Sequence, residues 1–223
     1  MDNLFFLFFL YLFLMPIFFF FIVALFFLPY GFTAYSFITL ITVPKQIWKV
    51  ANSKNLRKNH AIEHATINLL EQKAGHRLNV SGLSKEDGFY ISGIQNPEIV
   101  EDAAIRGLNL LKQGSCQLAI HKRCGTDMAI ANFVSALIFL ILLFSTGMFS
   151  ILNIIIALLL SNLISPYLGE YVQKYFTTSC DVANMEIVGL EFELGRQEEA
   201  GMLLRHFPGG YFIKTVSYVI DYN

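Results

Sequence analysis

Early in its first polar stretch the chain reads His60-Ala61-Ile62-Glu63-His64. On an α-helix, positions 60 and 64 lie one above the other on a single face. Two imidazoles at that spacing can bind one divalent ion. Glu63 lies one residue from His64 and three from His60, within reach of a water on that ion. This is the inverted zinc-hydrolase pattern H-x-x-E-H. Zinc brings the pKa of a bound water to about 7, and a nearby glutamate then serves as general base. Five such residues also arise on ordinary solvated helices, so the chemistry turns on whether a further ligand joins them.

Candidates for that ligand lie in two other places. Among only five histidines, His121 belongs to the cluster His121-Lys122-Arg123-Cys124-Gly125-Thr126-Asp127. Both His121 and Cys124 are good zinc ligands. Glu170 is the first charge after a long apolar block. An ionisable group at a membrane edge is a functional candidate, although Glu170 also simply marks the end of a helix. His60 and His64 with one of His121, Cys124 or Glu170 make an open, catalytic set. His60, His64, His121 and Cys124 together make a closed, structural one. His76 and His206, near a loop and a turn, read as ordinary surface residues.

The elements that hold these residues are set by composition. Of 223 residues, 55% are hydrophobic and 15% charged, with 22 Phe. A soluble domain carries about 25% charged residues. No charge occurs from Asn3 to Pro44 or from Met128 to Gly169. A spanning helix needs roughly 20 apolar residues, so each block holds one long span or two short ones. An ordinary soluble domain and a disordered chain are both excluded. The expected class is an α-helical integral membrane protein of the lipid bilayer with small α+β segments outside it. Four regions follow: a membrane region over 1–43, a metal-motif domain over 44–127, a helical hairpin over 128–168, and a polar segment over 169–223.

Residues 4–28 are expected to form one span, kinked at Pro16. Pro29-Tyr30-Gly31 reads as a turn, which leaves 32–43 as a short second span or an interfacial helix. The opening residues do not have the pattern of a cleavable signal peptide, since Asp2 replaces a basic n-region and the apolar run is too long. The second apolar block breaks at Ser145-Thr146-Gly147, leaving about 17 and 20 residues on either side, near the length of a span. Lys45, Lys49, Lys54, Arg57 and Lys58 precede Glu63, the first acid after the apolar block. The positive-inside rule therefore puts this side, and with it both polar segments, in the cytoplasm of a multi-pass plasma-membrane protein.

Segment 45–127 has 12 Lys+Arg against 8 Asp+Glu, and segment 170–223 has 4 against 8. Neither is basic enough to suggest nucleic acid. The opposite signs favour mutual packing, weakly, because exposed charges are screened within about 10 Å. Cys116, Cys124 and Cys180 all fall on the side read as cytoplasmic, where disulfides are rare. Cys116 reads as a buried, inert thiol.

Local signals predict a helix over 57–74 ended by Gly75, and a strand at Phe89-Tyr90-Ile91. A second helix starts at Asn96-Pro97 and ends near Gly114. With Gln117 to His121 read as another strand, 88–121 forms a β-α-β unit. Residues 182–193 are ambiguous between strand and helix, 196–206 look helical, Pro208-Gly209-Gly210 is a turn, and 211–220 has strand composition.

Three clusters in order, His60-x-x-Glu63-His64, His121-x-Arg123-Cys124-Gly125-Thr126, and Glu170 with Gln173-Lys174-x-x-Thr177-Thr178, then Glu186, resemble the YqhQ-like family of bacterial membrane proteins. Those are described as predicted metal-dependent enzymes that contain a domain of unknown function. Their pattern is similar: H-G-A-E-H, H-P-R-C-G-T and a Leu-Thr-Thr stretch, interleaved with membrane spans in the same order. The resemblance runs from about residue 57 to 190. Ala61-Ile62 stands for the family's Gly-Ala, Lys122 for its Pro, and Ser179-Cys180-Asp181 for its Arg-Glu-Pro, as in a sister branch. It implies a metal site and this topology, and it supplies no reaction.

The expected function is a membrane-embedded hydrolase, dependent on zinc or another divalent metal, with Glu63 as base. His60 and His64 are ligands, with a third from His121, Cys124 or Glu170. Its substrate would be a membrane peptide or a lipid. The alternative is a non-catalytic membrane scaffold or accessory subunit with a structural metal site. No phosphate-binding loop, dinucleotide fingerprint or nucleophile elbow is present.

Overall fold

The computed structural model describes residues 2–193, 197–200, 203–206 and 210–218. Three of its helices are long and apolar enough to cross a membrane, with candidate spans at Phe13–Asn52, Gly125–Thr146 and Ile151–Thr177 among the described residues. The chain divides into two compact units, 1–41 with 131–164, and 42–130 with 165–223.

The first unit is helical. α1 runs from Asp2 to Asn52 without a break, through Pro16, Pro29, Gly31 and Pro44. The turn expected at Pro29-Tyr30-Gly31 is absent. A proline inside a helix costs about 3 kcal/mol. A break would free about four N–H and four C=O groups, and each left unpaired costs about 1–3 kcal/mol. In this apolar stretch few side chains could take them up. The hydroxyls that are there bond back to the helix, Thr33 to the Pro29 carbonyl and Ser36 to the Phe32 carbonyl, both at 2.7 Å. α4 (Gly125–Thr146) and α5 (Ile151–Val172) meet at the expected break, where Gly147 takes a positive φ of 67°. Asn153 closes the corner through the Thr146 hydroxyl and the Met148 carbonyl. Phe139, Leu140, Leu143, Ile154 and Ala157 form the core, with Phe32 edge-on to Phe139.

The second unit carries the polar chemistry. α2 (Lys54–Ala74) begins at Ser53, whose side chain accepts the Leu56 N–H, and ends at Gly75 with φ 72°. α3 (Pro97–Lys112) has Asn96 as N-cap and Pro97 in its first turn, as its sequence predicts. The sheet has the order β1 (Ser81–Ser84), β2 (Gly88–Ser92), β6 (Gly210–Ser217), β3 (Met185–Glu193), with every pair antiparallel. α2 packs on β1 and β2, α3 on β3 and β6, and the two helices on each other. Ile62, Ala65, Phe89, Ile91, Val100, Leu111, Met185 and Ile213 lie in their shared core. The two polar segments therefore fold as one body.

The β-α-β unit is not formed. Residues 116–119 make a 3-10 turn, and β2 takes its partners from β1 and β6. The carbonyls of Leu118, Ala119 and Ile120 accept side-chain hydrogen bonds from His64 and Asn68 of α2. They are not left for a strand. The described residues of 196–206 are not helical either: β4 (Gln197–Ala200) pairs with β5 (Leu203–His206). Gly201, a poor helix former, lies between them in sequence. Of the turn expected at Pro208-Gly209-Gly210 only Gly210 is described, as the first residue of β6.

Gly107 marks the crossing of α3 over α2. A Cβ there would lie 3.1 Å from the Ala65 Cβ and 3.3 Å from the backbone of Ala65 and Thr66. Backbone on a backbone cannot yield, so Gly107→Val should destabilise the unit by about 1–3 kcal/mol. Gly31→Ala, with nothing within 4 Å of its Cβ, should be nearly silent. Chemical denaturation of the detergent-solubilised variants reads both.

Candidate metal centre

Helical spacing puts His60 and His64 on one face of α2, with ring centroids 4.3 Å apart. Cys124 comes from the turn that opens α4. Its carbonyl accepts the N–H groups of Asp127 and Met128, and its sulfur accepts the Thr126 N–H. One donor atom from each of His60, His64 and Cys124 lies within 4.8 Å of the other two.

The tautomers of the two imidazoles are set by backbone. His60 Nδ1 is 2.9 Å from the Thr177 carbonyl and His64 Nδ1 is 2.7 Å from the Ala119 carbonyl. A carbonyl only accepts, so both Nδ1 atoms carry a proton, and in the neutral ring the lone pair lies on Nε2. His60 Nε2 stands 3.2 Å from the Cys124 sulfur. His64 Nε2 is buried with no hydrogen-bond partner among the described residues. A metal ligand normally has its other ring nitrogen held in this way. Two imidazoles and a thiolate, one imidazole nitrogen without a partner, are a donor set that fits zinc.

The electrostatics follow. Burial works against a charge on His60, but the facing Cys124 sulfur, and then Glu63, raise its pKa to about 9. Burial also works against a Cys124 thiolate, and His60 and His64 overcome it, so the thiol is held well below its ordinary range. Glu63 is pushed up by burial, opposed by His60, His64 and the Ser84 hydroxyl.

Glu63 is buried, 5% exposed, and faces the sheet edge. The Ser84 hydroxyl of β1 donates to its Oε2. Gly82 lies against the carboxylate so closely that a Cβ would overlap it. His121 is near the trio, with its ring 5.9 Å from that of His64, but its Nε2 lies 3.5 Å from Glu71 Oε2. Glu170 is exposed and no donor atom of it joins the trio. His76 is exposed and bonds the Ala74 carbonyl. The side chain of His206 lies outside the described residues. Cys116, expected to be buried, is exposed; it opens a short turn whose core contacts come from Leu118 and Ala119.

Supporting residues came without a chemical signature in the sequence. Gln173 sits fully buried in a π-helical turn that continues α5 through Thr177. Its amide accepts the His121 N–H at 3.0 Å and donates to the His121 carbonyl at 3.1 Å and to Asp127 Oδ1 at 2.6 Å. It thereby joins the segment that ends in Thr177 to the segment that leads to Cys124. Arg57 caps the far end of this turn by donating to the carbonyls of Tyr175 and Thr178. Asn68 holds the Leu118 and Ile120 carbonyls on either side of Ala119. A single buried glutamine or a helix-end arginine gives no spacing by which such a role could be found.

An α+β unit with a His-His-Cys cluster, two of its three residues buried, joined to helices apolar enough to cross a membrane, defines the class. The chain belongs to the family described as Domain of unknown function (DUF6391), which matches residues 55–190. That range opens on α2 and closes in β3, so it takes in the whole cluster. An uncharacterised protein of Picosynechococcus sp. is 29% identical over 136 residues. The match covers 56% of this chain and 66% of the relative, just under two thirds of its length. No solved structure matches the chain. The family is thus an uncharacterised one, a coarser statement than the YqhQ-like kinship expected from the motifs.

Glu71 supports this end of the fold. It accepts from Arg123 at 2.5 Å and from the Leu78 N–H at 3.1 Å. Burial alone would raise its pKa; the Leu78 N–H, His121 and Arg123 lower it instead. A lowered folded-state pKa contributes stability above the unfolded value, 4.5, and that contribution is lost as pH falls through the folded value. Glu71→Gln should therefore cost about 1–2 kcal/mol at pH 7. The gap to wild type should close below pH 4.5. A pH series of denaturation midpoints measures it, and a constant gap would contradict the assignment.

Proposed function

We propose that this chain is a membrane-spanning hydrolase that uses zinc, or another divalent metal, held by His60, His64 and Cys124, with Glu63 as general base. The observation that carries the reading is the pair of backbone carbonyls that hold Nδ1 of both imidazoles while one donor atom of each groups with the Cys124 sulfur. A three-ligand set is the catalytic type, because it leaves a position for water or substrate. His121, which would close the set, stands beside Glu71. Zinc in such a set lowers the pKa of water and polarises a carbonyl. Glu63, made more basic by its burial, takes the proton of the attacking water and returns it to the leaving group. Ser84 and Gly82 keep that carboxylate in one orientation. Kinship with the YqhQ-like proteins, and the inward orientation of both polar segments, form part of the same reading. At this depth the substrate is a membrane peptide, with a lipid ester as the other bond such a site could reach.

Metal analysis of the detergent-purified protein tests it first. About one zinc per chain is expected, lost in the His60→Ala/His64→Ala double variant. Glu63→Gln should keep the metal while turnover falls by about 10²- to 10⁴-fold. If Glu63→Gln releases the metal, Glu63 is a ligand or an orienter and its role as base fails. A wild-type chain that takes up no metal when zinc is added removes the reading altogether.

The orientation has its own test. A Lys54→Cys variant in sealed cells should resist a membrane-impermeant thiol reagent and react once the cells are opened. Labelling in intact cells would place α2 outside.

A further inference from the structure

Two of the three free cysteines lie outside the metal cluster. Cys116 opens the 3-10 turn after α3 and is exposed. Cys180 follows the π-helical turn by three residues and is half-buried against the core. They are 64 positions apart in sequence, yet the Cys180 thiol donates to the Cys116 carbonyl at 3.8 Å. A carbonyl oxygen is about 2.4 Å from its own Cα by standard backbone dimensions. The Cys180 sulfur is therefore within roughly 6 Å of the Cys116 Cα, and its contact with the Cys116 side chain brings the two thiols side by side.

We propose that Cys116 and Cys180 form a reversible disulfide, a thiol-modification site separate from the metal cluster. The oxidant is a low-molecular-weight disulfide of the glutathione class. The exposed Cys116 thiolate attacks one sulfur of that disulfide and expels the first small thiolate. The Cys180 thiolate then attacks the Cys116 sulfur of the mixed disulfide and expels the second. Two protein thiols are oxidised, one small disulfide is reduced, and the two cysteine protons end on the two small thiols. The surroundings of Cys180 favour this order. Its pKa is raised to about 12, first by burial, then by a hydrogen bond with the Cys116 side chain and by that group's charge. Capping Cys116 removes the last two causes, so Cys180 becomes a better nucleophile only once its target exists.

The bond would cross-link the two supports of the cluster. Cys116 begins the turn whose Ala119 carbonyl holds His64, and Cys180 lies three residues beyond Thr177, whose carbonyl holds His60. The proposal stands whether or not the cluster is catalytic.

The full-length reduced protein in detergent is incubated with oxidised glutathione, its thiols are counted, and its peptides are mapped without reduction. The expected result is loss of two of the three thiols and one linked pair of peptides, Cys116 with Cys180, released by dithiothreitol. Cys116→Ser should show no internal link and leave Cys180 unmodified. A glutathione adduct that stays on Cys116 with no internal link, or a link that includes Cys124, would overturn the proposal.

Discussion

The hydrogen bonds from His60 to the Thr177 carbonyl and from His64 to the Ala119 carbonyl fix what the cluster can do. Without them each imidazole could present either nitrogen, and rotation about χ2 would blur the position of both. With them, Nδ1 of each ring is taken, and the remaining donor atoms gather with the Cys124 sulfur. The rest of the unit keeps those two carbonyls in place. Asn68 holds the turn on either side of Ala119, Arg57 holds the end of the π-helical turn beyond Thr177, and Gln173 ties the two segments together through the backbone of His121. A π-helical turn is an unusual conformation that recurs at functional sites. Here it places Gln173 and Thr177 on the same support.

α2 could not stand alone. Lys58, Asn59, Glu63, His64 and Thr66 are all buried on it, and a buried polar group without a partner costs about 1–3 kcal/mol. Each finds its partner in a distant segment or in its own helix. Asn59 donates to the carbonyls of Lys85 and Glu86 and accepts from Thr215 of β6; Lys58 reaches Asn184; Thr66 bonds back to Ile62. These bonds, more than net charge, join the two polar segments. The one ion pair of this kind among the described residues, Lys58 with Asp181 at 3.7 Å, has an Asp181 side chain that is 82% exposed. Pairs so exposed contribute at most about 1 kcal/mol.

What could be read in the sequence was what local chemistry decides. The H-x-x-E-H spacing needs only a helix, and the caps Asn96, Pro97 and Gly75 state where helices begin and end. Cys124 was one of three candidates because its distance to His60 is a tertiary fact. The failures have the same origin. Residues 117–121 have strand composition, but the carbonyls of Leu118, Ala119 and Ile120 are taken by α2 side chains, and nothing local announces that. Pro29-Tyr30-Gly31 is a turn signal in water, where freed backbone groups are solvated; inside a long apolar helix the break costs more than the proline. The strand pairing of β6 with β2 joins residues more than a hundred positions apart, beyond the reach of any window.

The placement of Glu63 ties the sheet to the chemistry. The imidazoles are held by the 3-10 turn that follows α3 and the π-helical turn that continues α5, whereas the carboxylate is held by β1, the edge strand of the sheet. Imidazoles and carboxylate thus share α2 as their base and take their orienting contacts from different segments. The small residues of β1 matter for this. Gly82 leaves room for the carboxylate beside the strand, and the Ser84 hydroxyl offers one hydrogen bond without a second charge. A cationic partner there would pull the carboxyl pKa down and make it a poorer base, while an apolar one would leave a buried acid unpaired. Glycine and serine at this edge keep Glu63 buried and oriented; burial raises its pKa, and the single Ser84 hydrogen bond opposes that shift without a charge.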